Sequence, residues 1–425
     1  MTLVSARSPR EAADGLAAVQ ARVAFWFTIA LVTLLFLASS APSPMYIVYQ
    51  ARWHFSSTVL TGLFSIYSLT VMLALVLLGH ISDGVGRRRV LICGLLITSL
   101  GLVLFASARN VGWIFAARAV QGLGVGISST TLAALALEVQ PGRSLPSAAM
   151  ATTIAGGVGM AIGSLLAGVF LQYVFNPTVS LYVLLLGLFF GGLVACRCLP
   201  QTVSYPRGSR TFWPPRIAVP RTAYRPFALY SAGSMVTWAV GGVYLALGPS
   251  IAAVLLHSGN HVIGGLVVFE LGAGGTLGAL VSSRRSSRSL ITVGALLIVL
   301  GMGVVVASVL HPSVPLFFAG SAVLALGWGQ TNIGSFRALV ALARPGRRAE
   351  MLAAIYLVLY LAFSIPVLLV GVATDHIGFK TTTVVFGACA CLVAAAVGVG
   401  MLIFGPGVAR REALAQVSEP HAMCG

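Results

Sequence analysis

Twelve runs of roughly 20 apolar residues follow one another along this chain, a pattern that no water-soluble fold accommodates. They fall at approximately 23–48, 57–80, 89–108, 111–136, 147–170, 178–199, 226–249, 260–281, 289–310, 314–337, 349–373 and 380–404. As a helix rising about 1.5 Å per residue, each is long enough to cross a hydrocarbon core of about 30 Å. Only 8% of the 425 residues are charged, against about 25% in a soluble domain. The pattern predicts an all-α membrane protein of twelve transmembrane helices. A loop rich in Pro and Arg, residues 200–225, divides it into two six-helix bundles, 23–199 and 226–404, with tails at 1–22 and 405–425.

Lys and Arg set the orientation. With the N-terminus in the cytoplasm, 22 of the 26 basic residues fall on the inside, three (Arg52, Arg109, Lys380) fall outside, and Arg118 lies within a span. Both termini are therefore expected in the cytoplasm, and the chain is expected to be multi-pass in the inner (plasma) membrane. The net charge of +17 then faces anionic lipid and requires no nucleic-acid partner. The first apolar run is too long for a signal-peptide core of about 7–15 residues and reads as a retained helix. The six cysteines lack the spacing of a metal or redox site and read as small core residues. The seven histidines show no metal-ligand pairing, and no Gly-rich loop ends in Lys-Ser/Thr. No cofactor, metal or enzymatic activity is expected.

Between the second and third runs lies GHISDGVGRRR, Gly79 to Arg89. Its spacing Gly79–Asp83–Gly86 recurs as Gly371–Asp375–Gly378, followed by Lys380, after the eleventh run and thus on the opposite side of the membrane. Weaker echoes end the fifth and eighth runs at Gly168 and Gly278. Recurrence that alternates in side is the mark of inverted repeats.

Glu270 is the one acid near the middle of a span. A charge there costs about 2.5–3.5 kcal/mol on the insertion scale. Gly274 and Gly278 share its helical face, so that face should meet another helix closely. Glu270 reads either as a proton acceptor or cation contact, or as a paired acid that holds two helices together. Arg118 has the same pattern, with Gly122 and Gly126 on its face. It lies nearer the outer end of its span, from where it could snorkel to the headgroups.

GHISDGVGRRR, together with RAVQGLGVG at 118–126, resembles the signatures of the major facilitator superfamily of secondary transporters, and the resemblance covers essentially all twelve spans. It implies proton coupling through Arg118, supported by Gln121; the alternative is a structural role in which Arg118 hydrogen-bonds neighbouring carbonyls. It also implies a cytoplasmic gate of Gly79, Asp83, Gly86, Arg87, Arg88 and Glu138, with Asp83, Arg87 and Glu138 as its latch. The Gly-rich fifth and eighth spans would pack across the interface between bundles. The fifth span departs from the Gly-Pro-x-x-Gly-Gly of the family's drug antiporters, since 163–168 reads GSLLAG.

Polar and aromatic groups within spans supply candidates for a substrate cavity: Tyr46, Tyr67, Trp238, Tyr244, Gln330, Asn332, Tyr356 and Tyr360. Pro42 and Pro44 should break or bend the first span, and Pro366 likewise the eleventh. So few charges suit a neutral, apolar or monocationic small molecule. The expected function is secondary transport by alternating access, as proton-coupled efflux by a monomer. An uptake permease, an uncoupled uniporter and a sensor without turnover are the alternatives.

Overall fold

The computed structural model describes residues 9–79, 81–140, 147–199, 217–256, 260–282, 285–343 and 347–417. Helices α1 (Pro9–Ser40) and α2 (Pro42–Trp53) make one span, interrupted where Pro42 lacks the N–H that would continue the ladder. There follow α3 (Ser57–Leu78), the short α4 (Ile81–Val85), α5 (Arg87–Ala106), α6 (Val111–Glu138), α7 (Ala148–Tyr173) and α8 (Pro177–Ala195). The second half of the chain holds α9 (Tyr224–Leu256), α10 (His261–Ser282), α11 (Ser287–Leu310), α12 (Val314–Ala341) and α13 (Arg348–Val417).

Among the described residues there is no strand, and eleven helical stretches are long and apolar enough to cross a membrane. The last, Ala349–Phe404, has 56 residues, or about 84 Å if straight, well over twice a bilayer core. Its backbone is broken at Gly378 (φ 79°, ψ 161°), which divides it into two arms, each as long as one crossing. Helix extends into both expected tails, since α1 begins at Pro9 and α13 runs to Val417. Of the bend or break expected at Pro366, the break is absent: α13 stays helical through it, and its break lies at Gly378, where a positive φ suits glycine. Residues 200–216 of the expected linker lie outside the described residues.

The outer surface is apolar, as a bilayer requires. Leu96, Leu100 and Val103 form an exposed stripe on α5, and Leu296 and Leu300 form one on α11. Cys93 and Cys389 are exposed too, which corrects their reading as core residues, whereas Cys196 is buried. Thiols are apolar enough to face lipid.

The buried core shows which ends are joined. The largest cluster, built mainly from α1–α8, takes in Val243, Ala246 and Leu247 of α9 and Val367 and Val370 of α13. All five lie toward the arginine-poor end. At the arginine-rich end the halves have separate clusters: Ala74, Val90 and Ile127 in the first, and Tyr230, Ile291, Ala338 and Met351 among others in the second. Helix α7 packs on α10, and α3 on α13, across the two halves of the chain.

Candidate functional site

The break between α1 and α2 builds a polar site around Arg118. Proline has no N–H, so Pro42 leaves the carbonyl of Ala38, four residues back, without its helical donor. Gln121 fills that gap, its Nε2 donating to the Ala38 oxygen at 2.9 Å. Arg118, one turn earlier on α6, is fully buried. Its Nη1 donates to the Ser39 carbonyl at 3.1 Å and to Gln121 Oε1 at 2.9 Å, and its Nε donates to the Tyr46 hydroxyl. The guanidinium carbon also lies 5.2, 5.1, 5.0 and 5.7 Å from the ring centroids of Tyr46, Phe64, Tyr67 and Phe105. Desolvated ring faces at such distances attract a cation by about 2 kcal/mol. Arg118 therefore does not snorkel, because the Ser39 carbonyl, Gln121, Tyr46 and ring faces replace the headgroups. Its Nη2 has no hydrogen-bond partner among the described residues.

Glu270 sits on α10 between two helices. Gly274 lies against Ala325, and Gly278 against Gly329, so the close face expected from the glycine stripe belongs to α12. Another face of α10 presents Gly265 to Ser164 and Gly272 to Gly157 and Ala161 of α7. The Gly-rich fifth and eighth spans do pack across the two halves of the chain. Glu270 is half-buried, and its Oε2 is shut off from solvent with no hydrogen-bond partner among the described residues. Tyr244, within electrostatic reach of Glu270, bonds Ser321 through its hydroxyl at 3.1 Å. The hydrogen bonds of Arg118 among the described residues go to Tyr46, Ser39 and Gln121, not to Glu270.

The candidate cavity residues fall into groups. Tyr46 and Tyr67 belong with Arg118. Trp238 donates from Nε1 to Asn332 Oδ1 at 3.0 Å and stands edge-on to Tyr360, with centroids 5.0 Å apart. Tyr356 lies 6.5 Å from Tyr360. Tyr67 and Tyr360 are within electrostatic reach of each other, linking the two aromatic groups across the halves of the chain. Tyr244 stands apart, lining an apolar pocket with Leu247, Ile251, Met302, Phe317 and Phe386. Gln330 is buried beside Gly278, its Oε1 without a partner among the described residues.

At the arginine-rich end, Arg87 pairs with Glu138 at 3.0 Å and donates to Ser82. Gly86 has φ 116°, which supplies the turn, and Gly79 ends α3 against Thr130 of α6. Arg88 is half-buried within electrostatic reach of Cys196. The side chain of Asp83, the expected third member of the latch, lies outside the described residues.

Sequence reasoning noted the second motif copy but not its partners. Asp375 Oδ1 accepts from the Ser57 N–H at 2.8 Å, and Oδ2 accepts from the Thr58 N–H at 2.8 Å and from its hydroxyl at 2.6 Å. Deeper on the same seam Ser68 meets Ser364 hydroxyl to hydroxyl, and Ser65 donates to the Ser364 carbonyl at 3.2 Å. Ser43 of α2 donates to the Leu245 carbonyl of α9. Pro249 frees that carbonyl, as Pro42 frees Ala38. The legible signals were the hydroxyl stripe at 57, 61, 65 and 68 and the proline inside the seventh span.

Comparison with known proteins places this geometry. The profile of the Major Facilitator Superfamily matches residues 28–365. Myo-inositol transporter 2 of Schizosaccharomyces pombe (strain 972 / ATCC 24843) is 35% identical over 65 residues, 15% of this chain and 12% of that protein. The putative multidrug resistance protein MdtD of Serratia proteamaculans (strain 568) is 29% identical over 107 residues, 25% of this chain and 22% of that protein. These matches thus span less than a quarter of either relative's own length. A bacterial homolog of the human lysosomal transporter Spinster, solved in an inward-facing and unoccupied conformation, superposes with a TM-score of 0.70 at 14% identity, covering 90% of this chain and 98% of that one.

Proposed function

The chain belongs to the major facilitator superfamily, and from that premise we propose that it exports a small, apolar or monocationic organic molecule in exchange for protons. The moving bodies in this reading are residues 23–199 and 226–404, joined by 200–225, with the arginine-rich end in the cytoplasm. The resident membrane is the inner (plasma) membrane, and the working unit is a monomer.

The observation that carries the proposal is Glu270, a carboxyl group with one oxygen buried and without a hydrogen-bond partner among the described residues. A charge in that place is costly unless a cavity, a partner or a proton relieves it. An acid that meets water in one state and apolar surroundings in the other takes up a proton and releases it as the protein turns over. Arg118 and Gln121 have a second role in this reading, keeping the broken first span together while charge at Glu270 changes. Trp238, Asn332, Tyr356 and Tyr360 form an aromatic wall suited to a planar or cationic substrate, and Tyr67 faces it from the first half. The partial likeness to a putative multidrug resistance protein agrees with export.

Proteoliposomes loaded with a panel of lipophilic amines, ethidium first, test this reading. Export should follow an imposed pH gradient, and Glu270→Gln should lower gradient-driven export at least tenfold while leaving exchange without net proton movement. Full gradient-driven export by Glu270→Gln would remove Glu270 from coupling. Equal movement with and without a gradient would make the protein a uniporter.

A further inference from the structure

The arginine-poor end is closed by hydrogen bonds that run between the two halves of the chain, and we propose that Asp375 is the gate residue that keeps it closed. The inference rests on alternating access but on neither the substrate nor the coupling ion.

The asymmetry between the ends is the first argument. At the arginine-poor end Asp375 reaches α3, Ser43 reaches the Leu245 carbonyl, and the Ser68 hydroxyl meets that of Ser364. Each of these bonds crosses from α1–α8 to α9–α13. At the arginine-rich end three bonds among the described residues each join groups of the same half. Arg87 pairs with Glu138, Arg337 reaches the Ser282 carbonyl at 3.3 Å, and Arg288 reaches the Met401 carbonyl at 3.2 Å. The shared apolar core follows the same division.

Asp375 differs in kind from the other crossing groups. Ser57 and Thr58 open α3, and the first N–H groups of a helix have no partner within it. A carboxylate satisfies two of them and also complements the positive end of the helix. Ordinarily such a cap comes from the residue just before the helix; here Ser56 holds that place and bonds Val59. Asp375 adds a second cap, delivered from the opposite half of the chain. Parting therefore releases a charged group and two backbone donors together.

The remaining contacts are built to part and rejoin. Ser65 Oγ lies 3.1 Å from the Thr61 carbonyl, and Ser364 Oγ lies 2.8 Å from the Tyr360 carbonyl, so each hydroxyl keeps a helical acceptor when its cross-partner leaves. The Leu245 carbonyl has no such reserve, because Pro249 denies it a helical donor. It needs Ser43 in the closed state and water in the open one. Together these make a gate with one charged clasp, one committed carbonyl and a neutral seam between them.

Distances between spin labels at Arg109→Cys and His311→Cys, exposed positions at the arginine-poor end, test the gate in full-length protein free of its native cysteines and embedded in liposomes. Loss of a hydrogen bond to a charged group changes an equilibrium by roughly tenfold. Asp375→Ala should accordingly raise the open-to-closed ratio about tenfold, seen as growth of the longer distance. Asp375→Asn should give a smaller shift, and Arg87→Ala none at this end. An unchanged distribution in Asp375→Ala, or an equal shift in Arg87→Ala, would overturn the proposal. Should Asp375→Ala not fold, Ser43→Ala must shift the distribution the same way, and its failure to do so overturns the gate. The readout needs neither substrate nor pH gradient, so a failed coupling test at Glu270 leaves it intact.

Discussion

Gly79–Asp83–Gly86 and Gly371–Asp375–Gly378 share one spacing at opposite ends of the molecule, and among the described residues the first copy meets partners in its own half of the chain and the second meets partners in the other. Both copies turn on their last glycine: Gly86 at φ 116° and Gly378 at φ 79° are the two glycines of positive φ among the described residues. Both first glycines lie against a threonine. For Gly79 it is Thr130 of α6, in the same half of the chain; for Gly371 it is Thr61 of α3, in the other half. Arg87 of the first copy pairs with Glu138 nearby, whereas Asp375 of the second caps a helix across the seam. Repeated local chemistry thus serves two outcomes, and what selects between them is which end of the molecule is shut.

The largest effect should come from forcing the second copy off its partner. A side-chain carbon at Gly371 would lie 2.8 Å from the Ser57 carbonyl oxygen and press on Thr61. Overpacking of this kind costs about 1–3 kcal/mol, or a ratio of about 5- to 150-fold. Gly371→Leu should open the arginine-poor end by that factor in the same spin-label measurement. Gly79→Leu should lower thermal stability without moving that end, and an equal opening by both would erase the distinction between the copies.

The shared turn is tested by Gly86→Ala and Gly378→Ala. A β-carbon at these backbone angles costs of order 1–3 kcal/mol. Both variants should lose stability by similar amounts in thermal unfolding of the purified protein. A neutral Gly86→Ala beside a costly Gly378→Ala would show that the two turns are unlike.

The smallest effect concerns pH. Asp375 lies just beyond the eleventh span. Desolvation acts to raise its pKa, but bonds from the Thr58 hydroxyl and the Thr58 and Ser57 N–H groups outweigh it and hold the carboxyl at about 2. Since that value is depressed, the clasp's contribution is complete above the ordinary carboxylate range and is lost only as pH falls through about 2. Between pH 7.5 and 5 the closed fraction at the arginine-poor end should not change through this group. A drop in Glu270→Gln protein that Asp375→Asn abolishes would place a titrating acid in the clasp after all.

Much of the fold was legible because a bilayer leaves few choices. Apolar length predicts crossings, and Pro42 predicts the break in the first span, since its missing N–H cannot be hidden. At Pro366 the helix runs on without a break, and the same reasoning located none at Gly378, whose freedom showed only in its backbone angles. Arg118 was recognisable as a cation within a span, but its burial was not: the rings of Phe64 and Phe105 come from α3 and α5, and nothing in local spacing announces them. For Glu270 the glycine stripe correctly announced a close helix. It did not say that α12 rather than α7 would take that face.

By itself, then, the sequence determined the material of the protein: membrane-length helices, a cation and an acid within spans, and one motif written twice. These follow from residue type and spacing, which act within a helix or at its ends. Only the tertiary structure decided the partners. Asp375 reaches Ser57 and Thr58 across more than 300 residues of chain, and Ser43 reaches a carbonyl that a distant proline has freed. Such bonds form because two helix surfaces meet in one of the arrangements open to them, and that choice is made by packing between helices, not by the pattern along any one of them.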